Sequence, residues 1–185
     1  MSETTNKWVI DPTHSDVQFK IRHLVISTVT GSFNKFEGAA NVPHEGRFDD
    51  ADIQFRIDVD SIDTNQEARD QHLKQADFFD VAQYPHIDFR STSFTKKGGD
   101  NYELKGQLTM HGKTREVALD AEYGGVEKDA YGNTKIGFEV SGKINRKDFG
   151  LSYHALTEAG GLALGEDVKL IANVQLAKLA VGNLQ

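Results

Sequence analysis

Ser61-Ile62-Asp63-Thr64-Asn65-Gln66-Glu67-Ala68-Arg69-Asp70-Gln71-His72-Leu73-Lys74, running on through Asp77-Phe78-Phe79-Asp80 to Tyr84-Pro85-His86-Ile87-Asp88-Phe89, holds the one convincing helix of a chain that otherwise alternates like strands. Thr64 and Glu67 have the spacing of a capping box, in which hydroxyl and carboxylate satisfy two of the amides left over at a helix start. The helix is therefore predicted to begin there. Arg69, His72, Leu73 and Ala76 stand at helical offsets, so they share one face. Pro85 lacks an amide proton and pushes Tyr84 toward extended backbone, so a strand is expected from His86.

Outward from this segment the pattern is period two. Ile53, Phe55, Ile57 and Val59 alternate with charged or polar residues into the helix, and Ile87 and Phe89 resume after it. Val17, Phe19 and Ile21 do the same nearer the start, with His23 in the same phase. Tyr102, Leu104, Gly106, Leu108 and Met110 share one side of a later strand; His111-Gly112 reads as a tight hairpin turn. Val117, Leu119, Ala121 and Tyr123, then Ile136, Phe138 and Val140, and last Val168, Leu170, Ala172, Val174 and Leu176 complete about eight strands. Phe33 and Phe36 break strict alternation, which predicts a bulge. Asp11-Pro12-Thr13-His14-Ser15 reads as a bend, with Asp11 and His14 as turn or cap residues. Each strand has one apolar face, and a single helix is too little to cover them. The sheet must fold on itself, as a sandwich or a closed barrel.

Composition narrows the function. The chain of 185 residues is long enough for one domain with a real core, read as residues 1–185 with the barrel at about 8–179. Its 21 basic and 28 acidic side chains leave a net charge of −7, which disfavours nucleic acid as the main partner. With no cysteine, thiolate metal sites and cysteine nucleophiles are excluded. No window approaches a membrane-spanning length, so a protein that is not membrane-embedded is expected. The start carries no secretory signal, so the sequence as given reads as cytoplasmic, or as periplasmic if it is a mature form.

Asp11-Pro12-Thr13-His14-Ser15, Gly31-Ser32-Phe33, Ser61-Ile62-Asp63-Thr64, Arg69-Asp70-Gln71-His72-Leu73, Asp77-Phe78-Phe79-Asp80, Tyr84-Pro85-His86-Ile87, Gly106-Gln107-Leu108-Thr109-Met110-His111-Gly112 and Ile144-Asn145-Arg146-Lys147-Asp148-Phe149-Gly150 together resemble the YceI-like family. The resemblance implies an all-β fold: an eight-stranded antiparallel up-and-down β-barrel, an extended lipocalin-like form with one short helical insertion. It also implies a long apolar molecule in the lumen: a polyisoprenoid such as an isoprenoid quinone or polyprenyl phosphate, or a fatty acid or amide. No cofactor beyond that lipid is expected, and a homodimer is.

The candidate lining is Phe19, Ile21, Ile53, Phe55, Ile57, Leu104, Leu108, Leu119, Phe138 and Leu170, with Leu73 and Phe79 from the helical segment. His23, Arg69 and His72 are candidate head-group contacts, because imidazole and guanidinium donors suit a carbonyl, hydroxyl or phosphate. The competing reading makes Arg69 an anchor of the helix, paired with a carboxylate such as Asp70, Asp77 or Asp148. Arg146 and Asp148 read as an ion pair fixing a turn. Catalytic signatures are missing from the sequence, so a non-enzyme is expected. The alternatives are a hydrolase or isomerase built where His14, Asp70 and His72 meet, and a structural barrel filled by its own side chains.

Overall fold

Period-two alternation becomes eleven hydrogen-bonded strands in a computed structural model that describes residues 6–23, 26–151 and 164–179. They are β1 (Asn6–Ile10), β2 (Asp16–His23), β3 (Ser27–Phe33), β4 (Phe36–Val42), β5 (Asp52–Asp58), β6 (Ile62–Asp63), β7 (His86–Gly98), β8 (Asn101–Met110), β9 (Lys113–Lys128), β10 (Thr134–Asn145) and β11 (Leu164–Lys178). The helix α1 (Glu67–Leu73) stands between β6 and β7. Three pairs of segments are halves of single kinked strands. β1 and β2 both pair with β11, β4 and β3 pair with β1 and β2 in turn, and β5 and β6 pair with β4 and β3. Counted as staves, these three and β7 to β11 make eight. All neighbours are antiparallel, and the ring closes where β11 meets β1 and β2. This is the closed up-and-down barrel; among the described residues only the two-residue β6 keeps a side without a strand partner.

Each kink has a local cause. Between β1 and β2, the Asp11 carboxylate accepts from the Thr13 amide and lies 2.8 Å from His14 Nδ1, holding a short 3-10 turn over Pro12–His14. Ser15 Oγ accepts from the Gln175 amide of β11 and so fastens the kink to the closing strand. The break between Phe33 and Phe36 falls at Asn34-Lys35, whose amides donate to the carbonyl and hydroxyl oxygens of Ser61 in the next stave. Both phenylalanines are buried as a result. The alternation of Ile53 to Val59 does not continue as one strand: β5 ends at Asp58, and Val59–Ser61 is a 3-10 turn whose first amide donates to Pro85.

The helix begins later than its capping box predicts. Gln66 is the N-cap and makes no side-chain cap bond, while Thr64 is buried and donates both its amide and its hydroxyl to the Asp70 carboxylate. A carboxylate one turn inside the helix has outcompeted Glu67, because it reaches both Thr64 donors. At His111-Gly112 the turn forms as read, both residues having positive φ (55° and 74°).

The connections β2–β3, β6–β7, β8–β9 and β10–β11 lie at one end of the barrel, called here the mouth. Connections β4–β5, β7–β8 and β9–β10 lie at the other, the floor.

Candidate functional site

The inward phase of the staves encloses a cavity of about 260 Å³ whose lining is almost wholly apolar. Its wall is built from large side chains, which ought to fill it. Four glycines explain why they do not. The Phe19 ring lies over Gly31, its register partner on β3, and the Phe55 ring over Gly38, its partner on β4. Phe89 lies against Gly106, and Leu119 against Gly142. A Cβ at any of these four glycines would collide with the side chain above it. Each glycine thus makes a recess in the wall where a bulky side chain lies flat instead of projecting across the lumen, an approach that glycine in a strand interior permits.

The floor is closed by rings. Phe48, from the β4–β5 connection, meets Trp8, Tyr123 and Phe138 at centroid distances of 6.1, 5.2 and 5.6 Å. Phe94 stacks on Tyr102 at 4.7 Å, and Phe138 meets both edge-on. Burial pushes the Tyr102 and Tyr123 phenols above their usual pKa, so they remain neutral members of the plug.

At the mouth, Leu73, Phe78 and Phe79 of the 64–85 insertion reach the cavity, with Phe79 packed edge-on against Phe33. Leu151 and Leu164 line it from the β10–β11 connection. Between them sits Arg146, 1% exposed and part of the lining. Its Nε donates to the Gly165 carbonyl at 2.8 Å and its Nη1 to the Leu151 carbonyl. The guanidinium therefore ties the end of β10 to the start of β11, in place of the expected pair with Asp148. The ion pair at this turn is Lys147 with Glu166, at 2.8 Å. Asn145 caps the turn and Gly150, at φ 73°, ends it. Burial lowers the Arg146 pKa, partly opposed by the charge of Glu166; a guanidinium stays cationic regardless. Three mouth connections are linked in series: Tyr84 packs on His111 at 4.9 Å, and His111 Nδ1 donates to the Phe149 carbonyl at 3.2 Å.

Of the fifteen residues singled out from sequence, twelve line the cavity. Phe19, Ile21, Ile53, Phe55, Ile57 and Phe138 do so from the staves, as do Leu104, Leu108, Leu119 and Leu170; Leu73 and Phe79 do so from the insertion. His23, Arg69 and His72 are not in the lining. Arg69 anchors the helix, but to Thr64 rather than to a carboxylate: its Nε donates to the Thr64 hydroxyl and its Nη2 to the Thr64 carbonyl. His72 Nε2 lies 2.8 Å from Asp77. His14, Asp70 and His72 each have a different partner (Asp11, Thr64 and Asp77), so these bonds do not draw them together. Among the described residues no three His, Asp or Glu side chains are grouped to hold a metal ion. The residues that sequence reasoning missed are the recess glycines, Phe48, and Arg146 as part of the lining. Glycine inside a strand was the available signal for the first of these.

Charged side chains occupy the outward phase, Arg56 with Asp88 and Arg90 with Asp52 among them, the reverse of a membrane barrel's apolar exterior band. No helix among the described residues is long and apolar enough to cross a membrane. Fold and site together define a closed antiparallel barrel with an apolar lumen, plugged by rings at one end and covered by a helical insertion at the other.

The YceI-like domain model matches residues 8–176, and the chain belongs to that family. A UPF0312 protein of Pectobacterium atrosepticum is 38% identical over 162 residues, covering 88% of this chain and 80% of that one. One from Staphylococcus aureus is 36% identical over 174 residues, covering 92% and 96%. The crystal structure of a Campylobacter jejuni YCEI protein superposes with a TM-score of 0.73 at 34% identity, covering 92% of this chain and 96% of that chain. A polyisoprenoid binding domain from Saccharophagus degradans shares the fold, with a TM-score of 0.65 at 17% identity over 93% and 98% of the two chains.

Proposed function

We propose that the lumen binds one long apolar lipid and performs no chemistry on it. The observation that carries this reading is the recessed wall: large side chains that would fill the barrel lie instead over Gly31, Gly38, Gly106 and Gly142, leaving a continuous apolar hollow. Burial of hydrocarbon there is worth about 0.8 kcal/mol per methylene, so a chain of moderate length binds without any polar contact. A volume of about 260 Å³, a little below the range of drug-sized pockets, suits a single slender chain. Among such chains the family resemblance favours a polyisoprenoid, such as an isoprenoid quinone or a polyprenyl chain, over a fatty acid or amide. The ring plug leaves the mouth as the place for a polar head, where Arg146 is the charged group of the lining.

The test is organic extraction of the purified protein followed by mass spectrometry. A stoichiometric prenyl or acyl species is expected. Leu108→Trp, which places an indole in the hollow, should remove it while the fold persists by circular dichroism. A clean extract from the unsubstituted protein, after exposure to a lipid mixture, would overturn the reading.

A further inference from the structure

We propose that the outer wall on β10, β11 and β2, next to the mouth, is a docking face for an anionic phospholipid surface. The proposal rests on the lipid-binding reading of the lumen.

The register of these three strands sorts charge along the barrel. Toward the floor, Glu139, Asn173 and Asp16 stand opposite one another; one step nearer the mouth come Ser141, Ile171 and Gln18. At the next step the row is Lys143, Lys169 and Lys20, three cations side by side, all exposed. Like charges directly opposite on neighbouring strands repel and destabilise a sheet. Lys143 is relieved by Asp167 at 4.0 Å. Among the described residues, Lys20 and Lys169 have no ion-pair partner. This repulsive pair stands in a protein whose net charge is −7, so the row is a local exception to the field of the whole molecule.

One step beyond the row, the outward positions are Asn145 and its partner Asp167, which takes up Lys143, and Arg22 of β2. The β2–β3 connection ends in Ile26, 91% exposed at the mouth. A lone exposed isoleucine is ordinary. One held just past a row of lysines, at the open end of an apolar lumen, has the order of a peripheral membrane contact: cations at phosphate depth, hydrocarbon beyond them. Charge complementarity selects an anionic partner, and the cargo selects its kind. A chain apolar enough to fill the lumen is scarcely soluble in water, so the surface that supplies or receives it is itself lipid.

The experiment is vesicle flotation of the full-length protein, using phosphatidylcholine alone and an equimolar mixture with phosphatidylglycerol. Binding is expected to the anionic vesicles only, and to fall as salt is raised. The double variant Lys20→Gln/Lys169→Gln should bind about thirtyfold more weakly with an unchanged or slightly higher Tm, since a repulsion is removed. Ile26→Ser should weaken binding several-fold, whereas Lys97→Gln, a paired lysine toward the floor, should not. Absence of flotation, or equal binding by the double variant, overturns the proposal, as does equally tight binding to soluble polyglutamate. Mass spectrometry of the same samples separates the two readings. Cargo without flotation sinks the docking face alone; salt-sensitive flotation that requires Lys20 and Lys169, with a clean extract, upholds the face and sinks the lumen reading.

Discussion

The two ends of the barrel are closed by different physics. At the floor, Trp8, Phe48, Phe94, Tyr102, Tyr123 and Phe138 come from five strands and one connection, and touch at centroid distances of 4.7 to 6.1 Å. Removing that plug means separating staves. At the mouth, the 64–85 insertion satisfies much of its backbone within itself: Phe79 donates to Leu73, Val81 to Lys74 and Tyr84 to Asp80. Helix α1 contains no buried residue. Its ties to the barrel are few and in part polar. A segment bonded to itself and lightly attached opens at a fraction of the global stability, whereas one built from distant strands opens only with the whole. On the proposed function, the mouth is therefore the end expected to admit a ligand, and the floor the end expected to limit how far it goes.

That asymmetry can be broken at either end. The largest effect is expected from Arg146→Met, which strands the Gly165 and Leu151 carbonyls in a dry site and should cost about 3 kcal/mol in denaturant unfolding; a loss under about 1 kcal/mol would mean the mouth does not depend on that guanidinium. Phe48→Ala removes the ring at the centre of the floor. Because the site is only partly buried, the expected loss is about 2 kcal/mol, below the range for a fully buried phenylalanine. The extracted lipids should then shift toward longer chains, and an unchanged length distribution would show that the floor does not set the limit. Gly31→Ala sharpens the comparison from the wall. Its Cβ must swing the Phe19 ring off its recess into the lumen, for about 1 kcal/mol of strain and a clear loss of bound lipid.

The smallest effect lies away from both ends. Hydrogen bonds from Thr13 and then His14 hold the Asp11 carboxyl well below the usual carboxylate range. A lowered folded-state pKa stabilises above the unfolded value of about 4 and is lost as pH falls below it. Unsubstituted protein should therefore lose stability below about pH 4 more steeply than Asp11→Asn, as read from denaturation midpoints against pH. Parallel curves would show that the β1–β2 kink does not need the charge.

Sequence and structure agree wherever a residue's neighbours along the chain decide its fate. Tyr102, Leu104, Gly106, Leu108 and Met110 all turn inward because successive side chains on a strand alternate. They part where a side chain's partner is not its nearest candidate along the chain. Spacing pairs Thr64 with Glu67 three residues on, yet Asp70 reaches both of its donors. Proximity in sequence pairs Arg146 with Asp148, but its acceptors include the carbonyl of Gly165, nineteen residues away across a turn.

Amino-acid order alone determined that the chain is strands, which side chains share each strand's apolar face, where the bend at Pro12 and the turn at Gly112 fall, and that one helical segment interrupts the series. These follow from φ, ψ and period, which involve near neighbours only. That the lumen is hollow, that rings seal one end, and that Lys20, Lys169 and Lys143 form a row was decided only in three dimensions. Each depends on register between strands distant in sequence: Phe19 is recessed because Gly31 lies opposite, a pairing that neither residue's neighbours specify.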